Sequence, residues 1–248
     1  DPARRSRGLT RVKAIAAPLL LIALLLVLPH SGPWFHAWMP TLSHPLYSRT
    51  SFLALTLSHL WLVALATFVA VAVGLMLGVL ATRPGGRSLL PTVRAVAVIG
   101  QTFPPVAVLA IAVPLLGFGA APTLLALTLY GVLPVLGQTV AGLDSVSPAA
   151  LHAADGMGYG RWRRLWDVEL PLAAGPIMAG VRLSAIVGVG TATIGSAVGA
   201  TTLGSPIVEG LVGNNTAYVV QGALLVGALA LSIDGVLGAL ERRIRRQR

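Results

Sequence analysis

The feature that most constrains this chain is a run of 49 residues, from 95 to 143, without a single charged side chain. A bilayer core about 30 Å thick needs about 20 apolar residues per spanning helix, so this run is too long for one helix and has the right length for two. We place the break at 117–122, where the sequence GFGAAP combines glycine and proline. The pattern predicts an all-α integral membrane protein.

The composition of the whole chain agrees with a membrane protein. Only 10% of its residues are charged and its mean hydropathy is +0.82, whereas soluble domains carry about a quarter charged residues. The first apolar run follows a basic start and resembles a signal peptide, but PHSGPW offers no small-x-small cleavage pattern, so a retained helix is favoured. The chain starts at Asp1 rather than Met, which leaves its native amino terminus open. Six transmembrane helices are predicted, over 14–29, 52–82, two within 95–143, 173–198 and about 217–240.

Basic residues predict the orientation of these helices. They concentrate in four segments, 1–13, 83–94, 161–164 and 241–248. Because cytoplasmic loops are enriched in Lys and Arg, both termini and the loop 144–172 are predicted to be cytoplasmic. The net charge of +10 therefore indicates a membrane orientation rather than binding to nucleic acid. The segments predicted to be external are 30–51, 117–121 and 199–216. In the first of these, Trp34, Phe35, Trp38 and Tyr47 suit an interfacial segment.

The loop 144–172 has helical signals of its own. Ser147 followed by Pro148 is typical of a helix start, and glycines at 156, 158 and 160 predict a turn before a second short helix. The spacing of Trp162, Leu165 and Trp166 predicts one apolar face that anchors this helix to the membrane-side bundle, with Arg161, Arg163 and Arg164 as rim charges or contacts to lipid headgroups. The alternative is that the loop is only a solvated connector.

This loop resembles the permease signature of ATP-binding-cassette (ABC) importers: Glu-Ala-Ala, three residues, Gly, nine residues, Ile-x-Leu-Pro. His152 replaces the usual Glu, which removes a carboxylate, and Val168 replaces the usual Ile. The resemblance implies that the loop docks on an ATPase, with Ala153–Gly160 packed in a groove of that partner. The residues implied in coupling to the ATPase are His152, Ala153, Ala154, Asp155, Gly156, Met157, Gly158, Leu170 and Pro171.

Further segments are similar to permease subunits of osmoprotectant importers, which take up glycine betaine, choline, carnitine and related amines. They are GQTFPPVAVLAIAVPLLGFG (100–119), LYGVLPVLGQTVAGL (129–143), VELPLAAGPIMAGVR (168–182) and GTATIGSAVGATTLG (190–204). The resemblance implies a five-helix type I permease core at 52–240 with a peripheral first helix at 14–29. The rest of the chain is divided into an amino-terminal tail at 1–13, an external interfacial segment at 30–51 and a basic tail at 241–248.

The same resemblance implies a set of partners in a bacterial inner membrane. They are two copies of an ABC ATPase, a second and non-identical permease, an external (periplasmic) solute-binding protein and membrane lipid, with no nucleic acid. The chain has no G-x-x-x-x-G-K-[ST] motif and its only lysine is Lys13, so it is predicted to be a transport subunit without catalysis of its own. ATP and Mg are expected on the partner ATPase. No cofactor or metal site is predicted here, because the chain has no cysteine and its histidines show no ligand spacing.

Several polar groups within the apolar runs are candidates for a translocation path. Paired prolines at 104 and 105 are expected to break or kink the third span, freeing carbonyls that must be buried or line a cavity. Packing between helices is the favoured alternative for the hydroxyls, while both explanations stay open for the glutamines. The glycines at 188, 190, 195 and 199 are expected at close helix contacts. The path candidates are Gln101, Thr102, Pro104, Pro105, Gln138, Ser184, Thr191, Thr193 and also Ser196.

Charged groups at membrane depth bear on the alternative functions. Arg182 and Asp234 are expected to share a polar pocket, with a structural role favoured over solute contact. Glu209 is an expected external gate, a contact for the binding protein, or part of a plain loop. An importer for a different small polar solute remains an alternative, and so does an ion-coupled secondary transporter, although no inverted repeat is visible. A membrane enzyme would need a nucleophile and a base, and His59 stands isolated.

Overall fold

A computed structural model describes the backbone of residues 2–246, and the side chains of residues 14–244 apart from Leu89, Ala97 and Gln101. The basic residues at 4, 5, 7, 11 and 13 therefore lie outside the described side chains. Every regular element in the described part is helical. The α-helices are α1 (Pro2–Val27), α2 (Gly32–Trp38), α3 (Phe52–Thr82), α4 (Leu90–Thr102), α5 (Pro105–Leu116), α6 (Ala120–Asp144), α7 (Pro148–Gly156), α8 (Arg161–Arg164), α9 (Leu170–Gly195), α10 (Gly204–Val212) and α11 (Thr216–Arg246).

Four helical segments of the described chain are long and apolar enough to cross a membrane, and six can cross if each of two bent helix pairs forms one span. One pair joins Ala14–His30 to Gly32–Trp38 at 76°, and the other joins Leu90–Gly100 to Pro105–Leu116 at 92°. The predicted break at the paired prolines is confirmed, since α4 ends at Thr102 and α5 starts at Pro105. Six spans are thus compatible with the structure when both bent pairs are counted.

The turn between α5 and α6 falls inside the predicted break. Gly117 and Gly119 have φ angles of 78° and 108°, a region that residues with a Cβ rarely adopt. The Gly119 N–H donates to the Val198 carbonyl oxygen at 2.7 Å, which ties this turn to the end of the fifth apolar run. Glycine at these positions lets two helices follow each other within three residues.

Helices α3, α6 and α9 pack closely at the centre of the fold through small residues. A Cβ added to Gly74 of α3 would lie 2.8 Å from the Val135 Cβ of α6. A Cβ added to Gly180 of α9 would lie 2.8 Å from the Pro134 carbonyl oxygen of α6. Small residues let helix backbones approach in a membrane, where packing replaces the hydrophobic drive between helices.

The glycines expected at close contacts divide into different roles. Gly195 faces Thr123 so closely that a Cβ does not fit, and a Cβ on Gly188 would touch Val63 at 3.4 Å. A Cβ added to Gly190 would meet nothing within 4 Å, so the prediction of a close helix contact is wrong for that position within this chain. Gly199 instead ends a short 3₁₀ turn with φ of 85°.

Helix α1 lies against α11 at one edge of the bundle. Its residues Leu21, Leu24 and Leu25 pack on a cluster that includes Leu225 and Leu229 of α11. Phe35 of α2 joins the same cluster, while Trp34 and Trp38 stay exposed at 75% and 67%. The short helix α2 therefore keeps two largely exposed tryptophans, of which Trp38 lies 6.4 Å from the Phe35 ring between centroids.

Side-chain contacts group the loops at two ends of the bundle. Arg83 meets Glu169 and Arg94 meets Asp144, so the loops after α3 and α6 share one end, which we call the basic side. At the opposite end, the segment 39–51 is held to α11. There Gln221 accepts a hydrogen bond from the Tyr47 N–H at 3.1 Å and donates one to the Pro45 carbonyl oxygen at 2.7 Å.

Candidate functional site

The predicted start of the loop helix is confirmed at the basic side. The Ser147 hydroxyl oxygen accepts a hydrogen bond from the Ala150 N–H at 3.3 Å, and Pro148 occupies the first helical position of α7. Helix α7 ends at Gly156, and Gly158 then turns the chain with φ of 77°. Gly160 keeps an ordinary φ of −66° before α8, so the turn depends on Gly158 rather than on all three glycines.

Most of the residues expected to couple to an ATPase lie on the surface of this loop. Ala154 is the buried exception, and it holds α7 against the rest of the chain. Leu170 and Pro171 begin α9 and are half-buried. The exposed members are His152, Ala153, Asp155, Gly156, Met157 and Gly158.

The expected common face of Trp162, Leu165 and Trp166 is wrong within this chain. Leu165 is 3% exposed and packs with Leu143 and Ala173, whereas Trp162 and Trp166 are 73% and 63% exposed. The helix is π-helical over Leu165–Glu169, which inserts an extra residue into the turn. Leu165 and Glu169 form the buried face instead, and both tryptophans point away from it.

Four charged side chains of alternating sign connect this loop to α3. Glu169 is 5% exposed, and its two carboxylate oxygens accept hydrogen bonds from Arg83 at 3.2 and 2.5 Å. The Arg164 Nε donates to Glu169 at 3.0 Å, while its Nη1 donates to both oxygens of Asp155 at 2.7 and 2.8 Å. We call these residues the ion chain. It runs from the end of α3 to the last turn of α7.

Sequence reasoning did not find the ion chain, although one signal was available. Glu169 stands between an aspartate-bearing polar stretch and the apolar start of α9, a position where an acid must be paired to be buried. Asp155 lies three residues after His152 on α7 and makes an ion pair with Arg164.

Arg182 is held by two carboxylates in the apolar part of the bundle. Its Nη2 lies 2.7 Å from the Asp234 Oδ1, as does its Nε, and its Nη1 lies 3.3 Å from the Glu241 Oε2. Arg182 and Asp234 were predicted to meet, whereas the contact with Glu241, which lies seven residues, or about two turns, after Asp234, was not predicted. All three side chains are at least partly buried, so one cation joins α9 to α11 at two levels.

The path candidates do not converge on one cavity within this chain. Ser184 is 1% exposed and lies close to Gly131 of α6, and its hydroxyl has no hydrogen-bond partner among the described residues. Thr191 and Thr193 donate to the carbonyl oxygens four residues earlier in α9, and Thr102 donates to that of Ile99. Gln138 is half-buried beside Gly180. The Gln101 side chain lies outside the described residues, and Pro104 and Pro105 form the break before α5.

Glu209 lies at the end opposite the basic side, beside a cavity of about 540 Å³ that is lined also by Arg49, Asn215 and Tyr218. Its Oε2 lies 3.0 Å from the Arg49 Nε, and its Oε1 accepts a hydrogen bond from the Tyr47 hydroxyl at 3.1 Å. Burial, together with the nearby Glu209 carboxylate, raises the pKa of Tyr47 to about 12. Glu209 therefore joins the segment 39–51 to α10.

The structure offers no metal centre in the part of the chain that it describes, since no three His, Cys, Asp or Glu side chains come together. His59 is fully buried, and its Nδ1 accepts a hydrogen bond from the Leu203 N–H at 3.3 Å. This histidine connects α3 to the start of α10.

The long apolar helices, the helix break at the paired prolines and the helical loop at the basic side define an integral membrane protein, and comparison with known proteins gives its family. Residues 70–246 match the family of binding-protein-dependent transport system inner membrane components. The chain belongs to this family.

Similar proteins of known name cover most of the chain. The osmoprotectant import permease protein OsmY of Salmonella typhimurium is 37% identical over 75% of this chain and 79% of its own length. The osmoprotectant import permease protein OsmW of the same organism is 34% identical over 82% of this chain and 96% of its own length. The choline transport system permease protein OpuBB of Bacillus subtilis is 39% identical over 76% of this chain and 86% of its own length. These matches confirm the resemblance to osmoprotectant permeases.

The fold has solved neighbours as well. An inward-facing form of the MetNI methionine ABC transporter matches with a TM-score of 0.70 and 22% identity, over 77% of this chain and 95% of that one. An amino acid ABC transporter matches with a TM-score of 0.63 and 19% identity, over 77% and 93%. At these identities the similarity shows the fold, which is that of ABC importer permeases.

Proposed function

We propose that this chain is the transmembrane permease subunit of an ATP-driven importer for a small osmoprotectant such as glycine betaine or choline. The observation that carries the proposal is the match to relatives named for osmoprotectant, choline and carnitine transport, at 34–39% identity over at least 71% of the chain. The chain forms the membrane pathway, and the solute reaches it from a separate binding protein.

The proposed complex contains two ABC ATPase subunits, a second and non-identical permease and an external solute-binding protein. The family description supports the binding protein, because members are components of binding-protein-dependent systems. ATP and Mg bind to the ATPase partners, and the basic side faces the cytoplasm of a bacterium, with both termini there. The density of arginines at 83–94, 161–164 and 241–248 supports this orientation.

The loop 144–172 is the proposed ATPase contact. Helix α7 is short, capped and exposed along His152, Ala153 and Asp155, so it offers a preformed helix to a groove on a soluble partner. Gly158 then reverses the chain, and α8 continues into α9. Movement imposed on α7 thereby reaches a spanning helix through a short connection.

The translocation path is proposed to form where α4 and α5 meet α6 and α9. Thr102, Pro104 and Pro105 lie at the helix break, where carbonyl groups are freed from helical bonding. Gln101 and Gln138 belong to the same proposed path, together with Ser184, Thr191 and Thr193. Arg182 and Asp234 are proposed as a structural brace, because each is satisfied by protein charges and not left free for a solute.

The test is reconstitution of the purified complex in proteoliposomes with ATP inside and loaded binding protein outside. Labelled glycine betaine, choline and carnitine are compared with methionine, and uptake of at least one of the three amines but not of methionine is expected. Omission of ATP or of binding protein should abolish uptake. Uptake of methionine alone would indicate a different solute class, and uptake driven by an ion gradient without ATP would establish a secondary transporter.

The orientation has a separate test, because the chain contains no cysteine. Ser43 lies in the segment proposed to be external and Ser145 lies at the basic side, and both are exposed. Each is replaced by cysteine in turn, as Ser43→Cys and Ser145→Cys. An impermeant maleimide added to intact cells should label Ser43→Cys only. Labelling of Ser145→Cys alone would invert the orientation.

A further inference from the structure

The ion chain joins parts of the protein that the backbone connects only at a distance. Arg83 follows the last turn of α3, and Glu169 lies 86 residues later, immediately before α9. Asp155 closes the last turn of α7, nine residues before Arg164. Helix α7 is therefore joined to the spans by the backbone on both sides, through 145–147 to α6 and through the turn at Gly158 towards α9, and by side chains to the end of α3.

The central acid of the ion chain is the element that gives it stiffness. Glu169 is buried between two guanidinium groups, so separating it from either one leaves a buried carboxylate with only part of its compensating charge. Arg83 contacts it through two nitrogens and both oxygens, a paired geometry that fixes orientation as well as distance. The inner part of the ion chain thus resists displacement in more than one direction.

The outer link is built differently. Arg164 is 25% exposed and Asp155 is 49% exposed, so this pair is hydrated and contributes little to folding stability. The Arg164 Nη1 donates to both Asp155 carboxylate oxygens, so the pair holds α7 in position without being needed to form the helix. A contact of this kind can be removed while the fold remains intact.

We propose that Asp155, Arg164, Glu169 and Arg83 act as positioning residues that make α7 and the end of α3 move together when the ATPase displaces α7. This inference rests on the proposed function for its transport consequence. Asp155 transmits force through Arg164 and contacts no solute. Loss of the Arg83 link uncouples ATP hydrolysis from solute movement while leaving the ATPase contact in place, and Arg164 still pairs with Glu169.

The first test is the number of ATP molecules hydrolysed per solute taken up in proteoliposomes. Arg83→Gln should raise this ratio by about 2- to 30-fold, the range in which mutations along coupled elements act, while the ATPase still copurifies, because Arg83 lies at the end of α3 and outside the proposed ATPase contact. Arg83→Lys retains the positive charge and should restore part of the coupling. Arg94→Gln is the matched control, since Arg94 lies at the same side but pairs with exposed Asp144 outside the ion chain. An unchanged ratio in Arg83→Gln would overturn the proposal.

A double-mutant cycle tests whether the four residues act as one chain. Arg83→Gln and Asp155→Asn remove opposite ends, and these two side chains share no direct contact in the ion chain. If the chain is continuous, the double variant should have the ratio of the more affected single variant, because one break suffices. Multiplication of the two effects would mean that the two residues act independently.

Hydrogen exchange separates failure of this inference from failure of the proposed function. In the purified complex, Arg83→Gln should speed amide exchange in α7 severalfold, although the substitution lies in another part of the chain. Arg94→Gln is the control, because the exposed Arg94–Asp144 pair lies at the same side without reaching α7. Unchanged α7 exchange in Arg83→Gln would refute the ion chain even if no solute were transported by the wild type.

Discussion

The close contact between α6 and α9 gives a prediction with a definite sign. Gly180→Ala adds a Cβ that would lie 2.8 Å from the Pro134 carbonyl oxygen and 3.1 Å from the Val135 Cα, both on the α6 backbone. Overpacking of this kind costs about 1–3 kcal/mol. Replacing Gly by Ala within a helix favours folding by about 0.5–1 kcal/mol. The net expectation is a loss of up to about 2.5 kcal/mol.

The matched control is Gly190→Ala in the same helix, where an added Cβ meets nothing within 4 Å. Only the helix preference remains there, so this variant should gain about 0.5–1 kcal/mol. Thermal unfolding of the purified chain in detergent measures both, at about 2–4 °C per kcal/mol for a chain of this size. Equal shifts of the same sign in the two variants would refute the close approach of α6 and α9.

Three further predictions follow from contacts in the structure. Arg182→Met leaves Asp234 and Glu241 without their shared cation, so it should destabilise the chain by about 2–3 kcal/mol. This is less than the cost for a fully buried pair, because about a third of the Arg182 and Asp234 side chains is accessible. Arg182→Met with Asp234→Leu should recover part of that loss in the same thermal assay, and no recovery would argue against the pair. Leu165→Ala should lower the free energy of unfolding by about 2–4 kcal/mol. The double variant Trp162→Ala with Trp166→Ala should change that free energy in the isolated chain by about 0.5 kcal/mol or less. A larger loss in the tryptophan variant than in Leu165→Ala would mean that the tryptophans anchor the helix after all. Burial raises the pKa of Tyr47 to about 12, above the value of about 10 for an exposed tyrosine. The protonated hydroxyl therefore contributes fully to folding stability below about pH 10, and this contribution is lost between about pH 10 and 12. The difference in free energy of unfolding between the wild type and Tyr47→Phe should shrink over that interval and stay constant below it.

Local signals allowed much of the helical organisation to be predicted. Ser147 and Pro148 mark the start of α7 because capping and a fixed proline φ depend only on neighbouring residues. The break at Pro104 and the turn at Gly117 follow from backbone restrictions of the same local kind. The absence of charge over long runs then sets the lengths of the spans.

Features that depend on distant partners were not available from the sequence. Arg83 and Glu169 are 86 residues apart, and nothing in either segment alone indicates that they meet. The π-helical turn at Leu165–Glu169 was also hidden, because three- and four-residue spacing predicts a regular α-helix and so placed both tryptophans on the buried face. Glu241 was taken as part of a basic tail, although it reaches back to Arg182.

ATP-dependent solute uptake by the Gly158→Glu variant in proteoliposomes tests most directly whether the loop 144–172 couples this permease to an ATPase. Gly158 has φ of 77°, so any side chain is strained there, and glutamate also places a charge at the turn between α7 and α8. Gly160→Glu is the matched control, with an ordinary φ and open space around its Cα. Gly158→Glu is expected to insert into the membrane yet lose uptake, with the ATPase lost or no longer stimulated by loaded binding protein, while Gly160→Glu is expected to transport. Normal uptake by Gly158→Glu would show that the loop is only a connector and would contradict the coupling assignment.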